Sequence, residues 1–208
     1  MSRKAEGKMP YELFGDGTEP ETTRERILEY AQDLFYSQGF HAVGIDEIVA
    51  KAGVTKATFY NHFESRDMLI ADVIRKADGQ IHERFVDAVR QRGGWDAKAA
   101  LMAMFDVLDV WFNHPDFHGC LFLKACMAFP NEHDPIHKAA RAHYVVTCAD
   151  IAEMATALPI EDTESFAEEW ILLIEGALSF RAVCQDDRAA RIAKRMAKST
   201  LERWTTSK

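Results

Sequence analysis

Apolar residues recur at helical spacing along most of the chain, and no segment shows the alternation of apolar and polar positions that is typical of a strand. The capping-box pattern at Thr22–Glu25 predicts the start of a first helix, which ends at Gly39. Two short helices are predicted next, one from Ile45 to Ala52 and one capped by Thr55 that continues through Phe63. Ser65 is then placed to cap a long helix that continues to about Gln91.

The second half of the chain has the same periodicity, and prolines separate its helical segments. Gly93-Gly94 is the clearest linker, and Ser165-x-x-Glu168 is a second capping-box pattern. The predicted helices of this half are Trp95–Asn113, Gly119–Phe129, Asp134–Leu158, Ser165–Cys184 and Asp187–Trp204. The sequence therefore predicts an all-α fold.

The composition limits the class of protein. The 208 residues are 48% hydrophobic and 28% charged, which is ordinary for a soluble globular protein. No apolar stretch approaches the roughly 20 residues of a membrane span, and the N-terminus lacks the apolar core of a signal peptide. Four cysteines without CxxC spacing are expected to be reduced thiols, so a cytoplasmic location is expected.

The charge distribution has a local exception. The whole chain has a net charge of -8, which argues against non-specific coating of nucleic acid. Between Ile48 and Phe63, however, there is no acidic residue, and Lys51 and Lys56 are present. Two short helices joined at Gly53 behind a longer helix are the plan of a helix-turn-helix. A carboxylate in this window would repel phosphate, so its absence favours local DNA binding.

The second short helix is predicted to have two different faces. Phe59 and Phe63 share one face and can fill a small core. The opposite face and its flanks offer hydroxyl and amide groups to phosphates and base edges. The residues on that side are Ala57, Thr58, Tyr60 and Asn61. Lys56 lies in the first turn, where the helix dipole also favours an anion, and Arg66 is placed to hold phosphate from the side.

Residues 22–74 resemble the DNA-binding domain of the tetracycline-repressor (TetR) family of bacterial transcription regulators. The segments that carry this resemblance are "RILEYAQDLFYSQGF", "IDEIVAKAGVTKATFYNHF" and "SRDML", in order and without gaps. The resemblance implies that Thr55–Phe63 is the recognition helix. The DNA contacts expected from face and motif together are Thr55, Lys56, Ala57, Thr58, Tyr60, Asn61, His62 and Arg66. Two departures from the family pattern are Gly44, where a capping Ser or Thr is usual, and Val49, where a small Ala is usual.

The resemblance also implies a domain organisation and a mechanism. The expected domains are a mobile arm (1–21), a three-helix helix-turn-helix DNA-binding domain (22–75) and a larger C-terminal helical domain for effector binding and dimerisation (76–208). A dimeric repressor that binds a palindromic DNA operator, and that a small-molecule effector releases, is the expected function. The expected homodimer interface consists of Trp170, Leu173, Ile174, Ala177, Leu178, Ile192, Met196 and Leu201. The alternative is that these residues are only core of one protomer.

Aromatic and Met residues are dense between residues 102 and 129, which would suit a cavity for an apolar or aromatic effector. Close-packed core is the alternative interpretation. The candidate effector pocket consists of Phe105, Leu108, Trp111, Phe112, Phe122, Met127, Tyr144 and Cys148, in which the phenol of Tyr144 would be the polar group.

Other functional classes have less support in the sequence. A di-metal helical enzyme needs Glu-x-x-His pairs, and no His in the chain has Glu three residues before it. His133 and His137 have i, i+4 spacing, but Pro135 lies between them. A cysteine redox sensor at Cys120 or Cys126 and a protein-interaction adaptor are further alternatives. We expect no catalytic residue, no cofactor and no resident metal.

Overall fold

The computed structural model describes residues 20–206, and all regular structure in that range is helical. Most of the predicted N-terminal arm, residues 1–19, therefore lies outside the described residues. In chain order the helices of this range are α1 (Thr23–Gln38), α2 (Ile45–Ala52), α3 (Lys56–His62), α4 (Arg66–Gly93), α5 (Ala97–Phe112), α6 (Leu121–Ala128), α7 (Pro135–Ala155), α8 (Thr163–Cys184) and α9 (Ala189–Thr206).

The predicted caps of the first helices are confirmed. The Glu25 amide donates to the Thr22 hydroxyl at 3.2 Å, and the Thr22 amide donates to the Glu25 carboxylate at 3.0 Å. The hydroxyl of Ser65 accepts a hydrogen bond from the Met68 amide at 3.1 Å, at the start of α4. These side chains satisfy amides that the first turn of a helix leaves without a partner.

The predicted start of α8 is wrong by two residues. The cap is Asp162, whose carboxylate accepts a hydrogen bond from the Ser165 amide at 3.0 Å, so Ser165 already lies inside the helix. That hydrogen bond lowers the pKa of Asp162 below its ordinary value. The sequence offers two capping residues close together, and the first one starts the helix.

The chain divides into two compact units that are not continuous in sequence. Within the described range, residues 20–81 and Cys120–His143 form the unit that contains α1–α3. His82–Gly119 and residues 144–206 form the unit that contains α8 and α9. The helices α4 and α7 contribute residues to both units, so the predicted functional boundary at residues 75 and 76 stays a prediction.

Aromatic side chains form the core of the unit that contains α8 and α9. The Trp170 ring lies 5.4 Å from Phe105 and 5.2 Å from Phe166, centroid to centroid, and all three side chains are buried. Gly93, at the end of α4, packs directly on the backbone of α5: a Cβ at this position would lie 2.6 Å from the Ala100 Cα. The residues predicted to be a linker thus include a tight helix–helix contact.

The other unit has its own core, to which α6 contributes. Ile27, Phe35 and Ile48 are fully buried there. The Lys124 ammonium on α6 donates to the Tyr36 carbonyl at 3.0 Å, and burial lowers the pKa of Lys124. Among residues 20–206, no helix combines the length and the apolar character that crossing a membrane requires.

Candidate nucleic-acid interface

A glycine turn joins α2 to α3, as the sequence predicts. Gly53 adopts the left-handed conformation, with φ 65° and ψ 36°, and its amide donates to the Ala50 carbonyl at 3.2 Å. The Val54 amide donates to the Val49 carbonyl at 3.0 Å. A side chain with a Cβ disfavours this conformation, so glycine fixes the angle at which the chain leaves α2.

The buried face of α3 is the predicted one. Phe59 is fully buried and Phe63, which ends the helix, is 3% exposed. Their rings lie 5.6 Å apart, centroid to centroid. A seven-residue helix is too short to be stable alone, so these two anchors hold it in place.

The opposite face of α3 is exposed. Tyr60 is 55% exposed, and its ring packs edge-on against Phe59 at a centroid distance of 5.3 Å. Ala57, Asn61 and His62 are also exposed. The face therefore presents a rigid phenol, an amide and an imidazole, which together can donate and accept hydrogen bonds at base edges and phosphates.

Two of the predicted contact residues bond to each other. The hydroxyl oxygens of Thr55 and Thr58 lie 2.9 Å apart, and the Thr58 amide donates to the Thr55 hydroxyl at 3.1 Å. Thr55 is thus the cap of α3. Thr58 is half-buried, and the cap residue Thr55 fixes the position of its hydroxyl.

Lys56 has an acidic neighbour that the sequence window does not contain. Its ammonium lies 2.6 Å from a carboxylate oxygen of Asp46, in the first turn of α2. The hydrogen bond and the charge of Asp46 raise the pKa of Lys56. The segment from Ile48 to Phe63 contains no acidic residue, but in the folded protein the Asp46 carboxylate lies beside it.

Arg66 lies at the start of α4 but is directed toward the protein. Its Nε donates to the Val43 carbonyl at 2.9 Å, and its Nη2 donates to the Phe40 carbonyl. The guanidinium also lies over the Phe35 ring at 5.6 Å. These contacts tie α4 to the segment between α1 and α2, so only part of the guanidinium is left for phosphate.

The Gly44 departure has a visible consequence. Gly44 is the N-cap of α2, and no side chain caps that end. Asp46 and Glu47 occupy the first turn instead, where negative charge is favourable to the helix dipole.

The candidate effector residues are distributed over the two units and differ in burial. Phe105, Leu108 and Phe112 are buried, and Trp111 is 9% exposed. Trp111 and Phe112 pack with Phe117 at centroid distances of 5.3 Å, which is core packing. In the other unit, Phe122 stacks on His143 at 3.8 Å, whereas Met127 is 74% exposed.

Tyr144 and Cys148, the last two of these candidates, are half-buried. Burial, followed by the nearby Glu168 and Glu164 carboxylates, raises the pKa of the Cys148 thiol. A raised thiol pKa makes Cys148 a poor nucleophile at neutral pH. Among residues 20–206, no three His, Cys, Asp or Glu side chains lie together in a way that would hold a metal ion.

The candidate dimer residues separate into buried and exposed groups. Trp170, Ile174, Ala177, Leu178 and Leu201 are buried within the protomer, and Leu173 and Ile192 are half-buried. Met196 is 55% exposed. The largest exposed apolar side chains on α8 are not among these candidates. They are Leu172, Phe180 and Val183, which are 70%, 44% and 79% exposed.

Comparison with known proteins agrees with this geometry. The family model of the bacterial regulatory proteins of the tetR family matches residues 27–73, which cover α2, α3 and parts of α1 and α4. The crystal structure of SCO4454, a TetR-family transcriptional regulator from Streptomyces coelicolor, is 27% identical with a TM-score of 0.81. That alignment covers 93% of this chain and 98% of SCO4454, so the likeness extends through both units. The chain belongs to the TetR family.

Curated relatives of this TetR-family chain are regulators too. The HTH-type transcriptional regulator YjdC of Escherichia coli (strain K12) is 24% identical over 86% of this chain and 93% of its own length. The HTH-type transcriptional repressor NemR of the same strain is 26% identical over 49% of this chain and 51% of its own length. The chain is therefore a TetR-family transcriptional regulator and not an enzyme.

Proposed function

We propose that this regulator is a repressor that binds a palindromic DNA operator as a homodimer through α3, and that a small-molecule effector releases it. The observation that carries the proposal is the exposed face of α3, with Tyr60 at its centre, on a helix held by buried Phe59 and Phe63. The relative NemR is named a repressor, which supports this direction of regulation.

The chemistry of the α3 face supports contact with a major groove. An α-helix fits this groove, where amide and phenol groups can bond to base edges. Tyr60, Asn61 and His62 provide those groups without an acidic residue on the same helix. Lys56 supplies a cation for the phosphate backbone.

Replacing Tyr60 by Ala tests the proposal. The change removes a large exposed side chain from α3 without opening the core, so folding should be preserved. Loss of one good base contact per subunit costs about 1–3 kcal/mol, so binding of the dimer should weaken by roughly 30-fold or more. Fluorescence anisotropy measures this with a duplex that the wild-type protein enriches from a random library.

The matched control is Trp95→Ala, which also removes an exposed aromatic side chain but lies outside the helix-turn-helix. Operator affinity should be unchanged in this variant. If Tyr60→Ala bound the duplex as tightly as Trp95→Ala, α3 would not be the recognition helix.

Exposed apolar side chains on α8 support the homodimer. Leu172, Phe180 and Val183 lie in one stripe of α8, because at about 100° per residue their spacing places them within about 80° of one another around the helix axis. Exposed apolar clusters of this kind favour association with a second surface. The proposed interface is therefore this face of α8 together with Met196 of α9, whereas the buried residues Trp170, Ile174, Ala177, Leu178 and Leu201 support it from within the protomer.

Two buried polar atoms in the unit that contains α8 and α9 support an effector site there. Within residues 20–206, Nη1 of Arg84 and Nε1 of Trp170 are buried and have no hydrogen-bond partner. Such donors cost free energy, and a ligand with acceptor oxygens would recover it. This chemistry adds acceptor groups to the predicted aromatic or apolar character of the effector. Binding of the effector need only favour the DNA-free arrangement to shift the population.

A further inference from the structure

The contact between Asp46 and Lys56 affects how tightly the regulator would bind DNA, and not whether it binds. The two side chains are 77% and 59% exposed, so the pair lies at the protein surface. Lys56 is the first residue of α3. A phosphate that approaches this end of α3 meets an ammonium group that already has an anionic partner.

We propose that Asp46 is an intramolecular counter-ion that competes with phosphate for Lys56 and so lowers the affinity of the regulator for DNA. The inference rests on the proposed function, because it requires that α3 binds DNA. It assigns a role to a residue of α2 that lies outside the recognition helix.

The Asp46 carboxylate should compete with phosphate for Lys56 without preventing phosphate from binding. An exposed ion pair is weak because water and salt screen it, so a phosphate can replace the carboxylate. Displacing the carboxylate nevertheless costs the free energy of the ion pair, which reduces the net gain from the phosphate contact to Lys56. Removal of the carboxylate should strengthen binding about threefold per subunit and roughly tenfold for a dimer, as expected for one charge in a solvated site.

The competition should affect all DNA sequences in a similar way. Phosphate contacts carry no direct sequence information, and they supply most of the affinity for unselected DNA. Asp46 would therefore limit the time that the regulator spends on non-operator DNA. The net charge of -8 of the whole chain acts in the same direction.

Asp46 also has a structural role that any experiment must separate from this one. Both Asp46 and Glu47 lie in the first turn of α2, whose N-cap Gly44 provides no side chain. Glu47 differs in its partner, because its carboxylate accepts a hydrogen bond from the side-chain Nε2 of Gln38 at 2.8 Å. Glu47→Gln is thus a matched control that perturbs the same end of α2.

The experiment compares Asp46→Asn, Glu47→Gln, Lys56→Gln and the double variant of Asp46 and Lys56 in full-length protein. The probes are a selected duplex of about 30 base pairs, which is about three helical turns, and an unselected duplex of the same length. We expect Asp46→Asn to bind both duplexes roughly tenfold more tightly at low salt, with a smaller gain at high salt. Neither Glu47→Gln nor Asp46→Asn in the Lys56→Gln background should show this gain.

Several results would overturn the inference. Unchanged or weaker binding by Asp46→Asn would leave Asp46 as a stabiliser of α2 only. An equal gain in Glu47→Gln, or in the Lys56→Gln background, would mean that Asp46 does not act through Lys56. Failure of the wild-type protein to bind or enrich any duplex would instead contradict the proposed function, so the two failures are distinguishable.

Discussion

Glu175 on α8 is a half-buried carboxylic acid whose pKa lies far from its ordinary value. Loss of hydration raises the pKa of Glu175 from 4.5 to about 7. The carboxylate form is therefore costly in the folded protein near neutral pH. This single side chain makes the stability of the protein dependent on pH.

The direction of that dependence follows from proton binding. Between pH 4.5 and about 7 the folded protein holds a proton on Glu175 that the unfolded chain has released. The stabilising contribution is therefore complete below pH 4.5 and is lost as the pH rises through about 7. By pH 8 the free energy of unfolding should have fallen by up to roughly 3 kcal/mol from this group.

Replacing Glu175 by Gln should remove this part of the pH dependence. Urea unfolding at pH 5 and pH 8 measures it, and the variant should be more stable than wild type at pH 8. Glu168→Gln, an exposed position on the same helix, is the control and should keep the wild-type slope. A wild-type slope in Glu175→Gln would show that its carboxyl is not the group that titrates.

Side-chain partners are the part of the site that the sequence did not predict. Helical spacing correctly assigned Phe59 and Phe63 to the core and Tyr60 to the surface. It missed Asp46 beside Lys56, because periodicity describes one helix at a time. It also missed that Arg66 donates to the Val43 carbonyl, which is 23 residues away in the chain. The sequence feature that could have indicated the contact of Asp46 with Lys56 is the position of Asp46 in the first turn of α2.

At the scale of the element, two glycines of α4 should respond in opposite ways to replacement by Ala. A Cβ on Gly79 would meet no atom of the described residues within 4 Å, so Ala should stabilise the helix by about 0.5–1 kcal/mol. A Cβ on Gly93 would lie 2.6 Å from the Ala100 Cα, so α5 would have to move. That displacement should cost about 1–3 kcal/mol.

Thermal unfolding of Gly79→Ala and Gly93→Ala measures both effects in the same helix. The expected result is a higher melting temperature for the first variant and a lower one for the second. Equal stabilisation in both variants would contradict the close contact between Gly93 of α4 and the backbone of α5.

The first and last residues of a helix were predictable where the sequence offered one capping residue. They were less predictable where two capping residues lay close together. The limits of α2 are the predicted ones because Gly53 ends the helix sharply. At α8 the competing caps Asp162 and Ser165 moved the start. Gly93 also shows a limit of sequence patterns, because a flexible linker and a close helix contact both favour glycine.

At the scale of the whole molecule, the all-α fold was predictable but the set of exposed apolar residues was not. The apolar positions of α8 surround much of the helix, so periodicity alone did not decide which face remained outside. The structure buries Trp170 and Ile174 and exposes Leu172 and Val183. Packing against neighbouring helices makes that choice, and a single-helix pattern contains no information about it.

A charge on the exposed face of α8 tests the proposed dimer. Phe180→Glu should shift the full-length protein toward monomer in sedimentation velocity, because a buried carboxylate without a partner opposes association. The dissociation constant should rise by roughly 100-fold or more. Val145→Glu, which places the same charge on an exposed apolar position of α7, should remain dimeric.

A Phe180→Glu variant that remained dimeric at micromolar concentration would contradict this interface. Since two half-sites require two copies of α3, a monomeric variant should also lose specific DNA binding. A monomer that kept full operator affinity would separate DNA recognition from dimerisation.

Selection of DNA by the full-length wild-type protein tests whether it binds DNA as a dimer through α3. Duplexes with a long randomised segment are bound, recovered and sequenced over several rounds. The expected result is an enriched sequence with two-fold symmetry, whose half-sites are separated by about one helical turn or a multiple of it. Enrichment of a single asymmetric site, or no enrichment at all, would contradict a dimeric regulator that binds DNA through α3.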